Sequence, residues 1–398
     1  MTAPPADVSV VVPTFNESGN IRELLNRVAA AIPPGTRAEV VFADDSTDDT
    51  CRAVEEAADD CPVPVLLHHR AVPEGGLGGA VVEGIGRARG DWIVVIDADL
   101  QHPPELIPAL VAHGEASGAE LVVASRYAAG GDRAGLDGGY RRLVSSGSTL
   151  VAKSLFPRAL GGLTDPMSGF FAIRREAVER ASAGTGPEEG LQPLGYKILL
   201  ELAVRCRPRG IAEVPYAFGE RHAGESKSTA REGLRFLRHL VTLRTADPRA
   251  RAVVFGLIGL SGFVPNLLLL WLLTRWGLAY TPAEIVANQA GLLWNFALID
   301  SFVYRNQRRH HRRAARLLTF AAVGNADLVA RIPLGALLMS SAGMAAVPAT
   351  ALAMALVFIA RFLVVDRLLY RRLSGRRAEP ARVSLPEPVA DPVPDPLG

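Results

Sequence analysis

Four apolar stretches of about 20 residues each, at 253–274, 283–303, 317–340 and 347–365, limit the possible folds of this chain more than any other feature. A helix needs about that length to cross a bilayer core, and four crossings return the chain to the side it started from. Six arginines and no acid fill residues 305–316, between the second and third stretches, and Arg371, Arg372, Arg376 and Arg377 follow the fourth. The opposite loops carry only Arg275 or no charge. Cationic loops stay in the cytoplasm, so the pattern predicts a multi-pass plasma-membrane protein whose N-terminal part, middle loop and tail face that compartment. Residues 1–7 hold no basic cluster and lead into only a short apolar run before Pro13, which is not the pattern of a secretory signal peptide.

Residues 8 to about 220 follow another grammar. Short β-branched runs at 8–12, 39–43, 63–68, 92–96 and 121–124 alternate with helical stretches at 21–32, 50–58, 79–88 and 105–116. Such alternation predicts an α/β fold: a mostly parallel, Rossmann-like sheet with helices on both faces and ligands at the carboxyl ends of the strands. The polar groups fall at those ends. Pro13-Thr14-Phe15-Asn16-Glu17 follows the first run, Asp44-Asp45-Ser46 the second, and Asp97-Ala98-Asp99 the fourth. Strand alternation turns Asp97 and Asp99 to the same side, where two carboxylates suit a hard ion, Mg²⁺ or Mn²⁺, that also grips phosphates. A nucleoside diphosphate is the natural ligand. Pro13, Phe15, Glu17 and Asp44 or Asp45 lie where its nucleoside would rest, with carboxylates to accept hydrogen bonds from ribose or base. Asp45 reads equally well as a cap for the following helix. Gly75-Gly76-Leu77-Gly78-Gly79 permits close backbone approach to a phosphate.

At 398 residues and 49% hydrophobic content the chain exceeds one ordinary domain. Its net charge of +2 gives no reason to expect a nucleic-acid partner. Cys51, Cys61 and Cys206 show no CxxC spacing and no even count, which implies reducing cytosol and neither a disulfide framework nor a zinc site. The parts are therefore 1–227, the sheet domain; 228–250, a juxtamembrane segment; 251–373, the membrane domain; and 374–398, a proline-rich disordered tail. The juxtamembrane segment mixes Leu234, Phe236, Leu237, Leu240 and Val241 with Arg231, Arg235, Arg238 and Arg244. It fits a helix lying on the membrane surface or an ordinary connecting helix.

The order PTFNE, DDSTDDT, Arg70 with GGLGGA, DADLQHPPEL and Ser125-Arg126-Tyr127 closely resembles the polyprenol-phosphate (dolichol-phosphate) mannosyltransferases, inverting sugar transferases of the A-type fold. Residues 165–171 and 221–227 also resemble that family's acceptor-side segments. The resemblance implies Pro13, Phe15, Glu17, Asp45 or Asp44, and Asp97 around the nucleotide, with Asp97, Asp99 and Gln101 at the metal and pyrophosphate. It implies Arg126, Arg141 or Arg142, Ser168, Arg221, Ser226 and Lys227 at the phosphates of donor and acceptor, with Asp97, Asp99, Arg126 and Arg221 central to catalysis. Phe15 departs from the family's common tyrosine, and the DDSTDDT turn is one residue short. The membrane part resembles the GtrA-like four-helix family through Phe255-Gly256-Leu257-Ile258-Gly259 and Asn295-Phe296-Ala297-Leu298-Ile299-Asp300. The implied reaction moves mannose from GDP-mannose onto a polyprenyl phosphate. Alternative readings are transfer from UDP-glucose or a UDP-N-acetylhexosamine, and a non-catalytic partner in lipid-sugar flipping. A lipid monophosphate already carries between one and two negative charges at neutral pH, so it needs placement by cations more than deprotonation. Asn325, Asp327 and Arg331 stand inside the third apolar stretch. Asp327 and Arg331, four apart, are spaced to pair, as structural glue or at the lipid phosphate.

Overall fold

The computed structural model describes residues 6–131, 139–183, 197–219, 230–245, 247–304, 312–342, 344 and 346–366. They form two compact units that part between Leu240 and Val241. In the first unit the chain runs β1 (Val8–Thr14), α1 (Ile21–Ala31), β2 (Ala38–Asp44), α2 (Thr50–Ala58), β3 (Val65–His69), α3 (Gly76–Arg87) and β4 (Trp92–Val95). It continues through α4 (Ile107–Ser117), β5 (Leu121–Ser125), α5 (Gly139–Leu155), α6 (Pro157–Leu160), β6 (Phe171–Arg174), α7 (Arg175–Ala183), α8 (Ile198–Arg205), β7 (Ile211–Pro215) and the part of α9 (Ala230–Arg244) up to Leu240.

The seven strands lie in the order β3-β2-β1-β4-β6-β5-β7. Neighbours are parallel except around β6, which runs antiparallel to both β4 and β5. From β1 the chain builds outward through β2 and β3, then places β4 on the other side. The carboxyl ends of β1 and β4 therefore flank the point where strand order reverses, the place where an open α/β sheet leaves a crevice.

Alternation along the strands divides the core. Val8, Val10 and Val12 of β1, Phe42 of β2 and Trp92 and Val94 of β4 share one cluster with Ile21, Leu24, Leu25 and Val28 of α1 and Leu110 of α4. The α1 residues fall at i, i+3, i+4 and i+7, one helical face, and burial of each contributes roughly 1.5–3 kcal/mol. The opposite sheet face takes α3, whose Gly84 sits so close that a Cβ there would lie 2.5 Å from Val11 Cγ1. The α3 helix starts at Gly76, a turn earlier than the expected residue 79. Arg70 donates to the Glu74 and Gly76 carbonyls (both 3.1 Å), which fixes the glycine-rich turn that sequence pattern leaves open.

The second unit contains α10 (Pro248–Ser261), α11 (Phe263–Arg275), α12 (Tyr280–Leu298) prolonged by a π-helical turn at Ile299–Val303, α13 (Arg313–Ala342) and α14 (Ala346–Val364). Among the described residues, one helical run, Pro248–Arg275, is long and apolar enough by itself to cross a membrane, with mean hydropathy 2.1. Val253, Leu257, Leu260, Val264, Leu268 and Trp271 on it are exposed, an apolar surface suited to hydrocarbon. The two helices of the run meet at Gly262, where a Cβ would lie 2.5 Å from Asn295 Oδ1. Asn295 Nδ2 donates to the Gly259 carbonyl beside that junction (3.4 Å).

Buried ion pairs hold helix ends together. Arg251 of α10 donates to Asp366 (2.6 Å), which also accepts the Tyr304 hydroxyl (2.9 Å), and Arg316 of α13 donates to Asp300 (2.8 Å). The side chains of the expected Asp327–Arg331 pair and the tail 374–398 lie outside what is described. On α9, Phe236, His239, Leu240 and Leu243 are buried within the protein.

Candidate active site

A cleft of about 240 Å³ opens at the ends of β1 and β4. Pro13, Phe15 and Glu17 form one wall, Asp97 and Asp99 the floor, Ser168 and Gly169 from the loop before β6 another wall, and Lys197 the entrance to α8. Two non-glycine residues beside it have left-handed backbones, Asn16 (φ 59°) and Leu100 (φ 60°). Each costs on the order of 1 kcal/mol and persists only where surrounding bonds enforce it. Asn16 is held by its N–H to Ser46 Oγ (2.8 Å) and by the Thr47 N–H to its Oδ1 (2.9 Å). Leu100 turns the chain directly after Asp99, whose Oδ1 accepts the Gln101 N–H (3.2 Å).

Asp97 sits among cations. Burial alone would raise its carboxyl, but the hydrogen bond and charge of His102, with the charges of Lys197 and Arg126, outweigh burial and hold it below the usual carboxylate range. His102 Nε2 lies 3.3 Å from Asp97 Oδ2 and Nδ1 lies 2.8 Å from the Tyr216 hydroxyl. The ring is buried against Phe170, Tyr216 and Phe218. Gly169 faces the same carboxylate so closely that a Cβ there would overlap Asp97 Oδ2. Gln101 Nε2 donates to the Gly219 carbonyl (3.2 Å), tying the segment after β7 to the Asp99 loop.

Arg126, at the end of β5, makes a fork to Asp165: Nε to Oδ2 at 2.7 Å and Nη2 to Oδ1 at 3.0 Å. Asp165 begins the loop that carries Ser168 and Gly169, so this pair sets that wall of the cleft. Ser168 Oγ both donates to and accepts from the Phe170 backbone (3.2 Å each).

The two acids after β2 are committed to protein partners. Asp44 is fully buried and accepts from Thr14 Oγ1 (2.7 Å), Ser46 Oγ (2.6 Å), Cys51 Sγ (3.0 Å) and His69 Nδ1 (2.8 Å). Burial pushes its carboxyl up; these four donors outweigh that and leave it below the ordinary value. Asp45 takes a fork from Arg70, Nε to Oδ1 at 2.7 Å and Nη2 to Oδ2 at 2.5 Å, with both side chains buried. It does not cap α2; Asp48 Oδ1 accepts the Thr50 N–H instead (3.0 Å).

The structure thus brings Pro13, Phe15, Glu17, Asp97, Asp99 and Ser168 to one cleft, with Arg126 and Gln101 behind it and Asp44 and Asp45 beneath the β1–β2 loops. Arg141 and Arg142 stand at the start of α5. Arg221, Ser226 and Lys227 fall outside the described residues. Two residues beside the paired acids were missed by sequence reasoning. His102 carries no signal beyond its place three residues after Asp99. Lys197 is one of only three lysines, with Lys153 and Lys227, in a chain that otherwise uses arginine.

A switch-point cleft floored by paired acids with Lys197 at its edge suits a sugar-nucleotide-dependent transferase, and comparison with known proteins agrees. Residues 9–181 match the glycosyl transferase family 2 model, and residues 254–370 match the GtrA/DPMS transmembrane domain model. The dolichol-phosphate mannosyltransferase of Pyrococcus furiosus is 38% identical over 76% of this chain and 82% of its own length. The Saccharomyces cerevisiae enzyme of the same name is 35% identical over 60% and 86%. An undecaprenyl-phosphate 4-deoxy-4-formamido-L-arabinose transferase of Klebsiella pneumoniae is 31% identical over 70% and 80%. The chain belongs to the dolichol-phosphate mannosyltransferase family within glycosyl transferase family 2. It is a membrane-associated hexosyltransferase.

Proposed function

We propose that the protein moves mannose from GDP-mannose onto a polyprenyl phosphate, in the cytoplasm, from a catalytic domain anchored by four membrane crossings in the plasma membrane. One observation carries the site: Asp97 and Asp99 floor the same cleft as Lys197, and cations hold Asp97 ionised. Those two carboxylates, with Gln101 adjacent, fit a hard divalent ion such as Mg²⁺ or Mn²⁺. When bound, such an ion neutralises charge developing on the departing diphosphate. Pro13, Phe15 and Glu17 hold the nucleoside, the Phe15 ring supplying a half-exposed apolar face for the base. Asp44 and Asp45 shape that subsite from beneath. Lys197 and Arg126, with Arg141 or Arg142, Ser168, Arg221, Ser226 and Lys227, gather the mutually repelling phosphates of donor and acceptor. The lipid phosphate then attacks the anomeric carbon from the face opposite the leaving group and inverts it.

We assign catalysis to residues 1–227, the connection to 228–250, and the membrane domain to 251–373. The four helical rods of the second unit and the cationic segments at 305–316 and 371–377 support the four-crossing, cytoplasm-facing arrangement. The test incubates the purified protein with a short polyprenyl phosphate, Mg²⁺ or Mn²⁺, and GDP-mannose, UDP-glucose or UDP-N-acetylglucosamine in parallel, and weighs the lipid product. A hexose adduct from GDP-mannose alone is expected. A product from a UDP-sugar alone overturns the donor assignment.

A further inference from the structure

Cys51 and His69 have no part in the transfer described above, yet the fold brings both to the carboxylate of Asp44. Oδ2 of Asp44, Sγ of Cys51 and Nδ1 of His69 form a triangle with edges of 3.0 Å (S to O), 3.4 Å (S to N) and 2.8 Å (N to O). Zinc-ligand bonds of about 2.0–2.3 Å at tetrahedral angles give a ligand triangle with edges of about 3.3–3.5 Å, so a small outward movement opens this one to a metal. We propose that Asp44, Cys51 and His69 form a second cation site, one that takes a transition ion of the zinc class through a carboxylate, a thiolate and an imidazole.

Three features support it. Each ligand comes from a different regular element: the end of β2, the first turn of α2 and the end of β3. Elements of that kind place ligands more accurately than loops do. The other carboxylate oxygen, Oδ1, is fixed by the Thr14 and Ser46 hydroxyls, and Oδ2, which faces the other two ligands, also accepts the Ser46 N–H (3.1 Å), the outer support that ligating carboxylates need. The His69 side chain is 51% exposed, leaving a path for the ion and a fourth position for water. The donor set also separates this site from the cleft: sulfur and nitrogen select a softer ion than the oxygens of Asp97 and Asp99.

Binding balances simply. The Cys51 S–H loses its proton to solvent and His69 binds as the neutral Nε2–H tautomer. One divalent ion meets one thiolate and one carboxylate, so the occupied site is neutral. The ion cross-links β2, β3 and α2.

The test uses full-length protein in detergent, stripped with a chelator and titrated with Co²⁺. A thiolate-to-cobalt charge-transfer band is expected at one equivalent, displaced by one equivalent of Zn²⁺. Cys51→Ser and His69→Gln should each abolish it, while Cys61→Ser and Cys206→Ser keep it. Zn²⁺ should also raise the melting temperature of the wild-type chain and not that of Cys51→Ser. His69→Gln, a change at an exposed ring, covers the case in which Cys51→Ser fails to fold. The proposal is overturned by absence of the band, by a band that needs a large excess of Co²⁺, or by one that survives in Cys51→Ser or His69→Gln. Because none of these readouts is transfer activity, the result stands apart from the donor and acceptor assignments.

Discussion

Asp45→Ala separates two roles for the acid after β2. The Asp45–Arg70 pair is nearly sealed from solvent, with side-chain exposures of 7% and 2%, and is joined by two charge-assisted hydrogen bonds. Deleting one partner of a buried pair costs about 3–5 kcal/mol, because the remaining charge loses its compensation. Arg70 would keep the Glu74 and Gly76 carbonyls and Glu83 at 3.3 Å, so the lower end, about 3 kcal/mol, is expected. In a unit of this size that lowers the melting temperature by about 6–12 °C. Trp92 provides the probe: of the four tryptophans it alone lies in the first unit, buried in the sheet core. With Trp271, Trp276 and Trp294 replaced by phenylalanine, Trp92 fluorescence follows that unit alone. The double variant Asp45→Ala/Arg70→Met should lose less than the two single changes summed, since no unpaired charge remains. If Asp45→Ala melts like the wild type but loses affinity for GDP, the carboxylate meets the nucleotide directly and the reasoning fails.

Asp99→Ala should abolish transfer into organic-extractable lipid while leaving the Trp92 melting curve in place; near-normal incorporation removes Asp99 from the reaction. His102→Ala should raise the Mn²⁺ concentration needed for half-maximal activity by about 10–100-fold, the usual penalty for losing support behind a metal ligand. An unchanged metal requirement would make His102 a packing residue only. Burial alone would raise the Glu120 carboxyl, but Arg180 and the Arg209 N–H (2.6 Å) outweigh it and hold it below the usual range. Its stabilisation is therefore fully present above the unfolded value of about 4.3 and lost as pH falls through the lower folded value. Glu120→Gln should flatten the acid limb of a plot of melting temperature against pH; the same slope in both proteins would contradict this.

The sequence was legible wherever one element answers for itself. The runs at 8–12 and 92–96 announce buried strands, and the polar residues that follow each lie at the switch point because a parallel sheet puts them there. Asp97 and Asp99 do line one cleft, but from the turn that follows β4, which ends at Val95, and not by the strand alternation expected for them. What the sequence does not encode is which strand lies beside which. Nothing in Phe171-Ala172-Ile173-Arg174 says that it will insert antiparallel between β4 and β5, yet that insertion delivers the 165–169 loop to the acids. Long-range side-chain partners are equally silent. Tyr216 reaches His102 across 114 positions and Asp165 reaches Arg126 across 39, distances over which local spacing carries no register. The DDSTDDT turn left Asp44 and Asp45 indistinguishable because both are short acids in one polar run. The fold separates them by giving one to hydroxyls, a thiol and an imidazole, and the other to a guanidinium.

Gly169 lies hard against the Asp97 carboxylate, which makes the 165–169 loop and the acidic floor interlocking parts. Even a methyl group at residue 169 would have to displace either the acid or the loop that carries Ser168. Under the proposed function, an attempt to widen the range of lipids accepted therefore has no freedom at this position. It must work through the flanking side chains of Met167 and Ser168, which can change size without unseating the carboxylate.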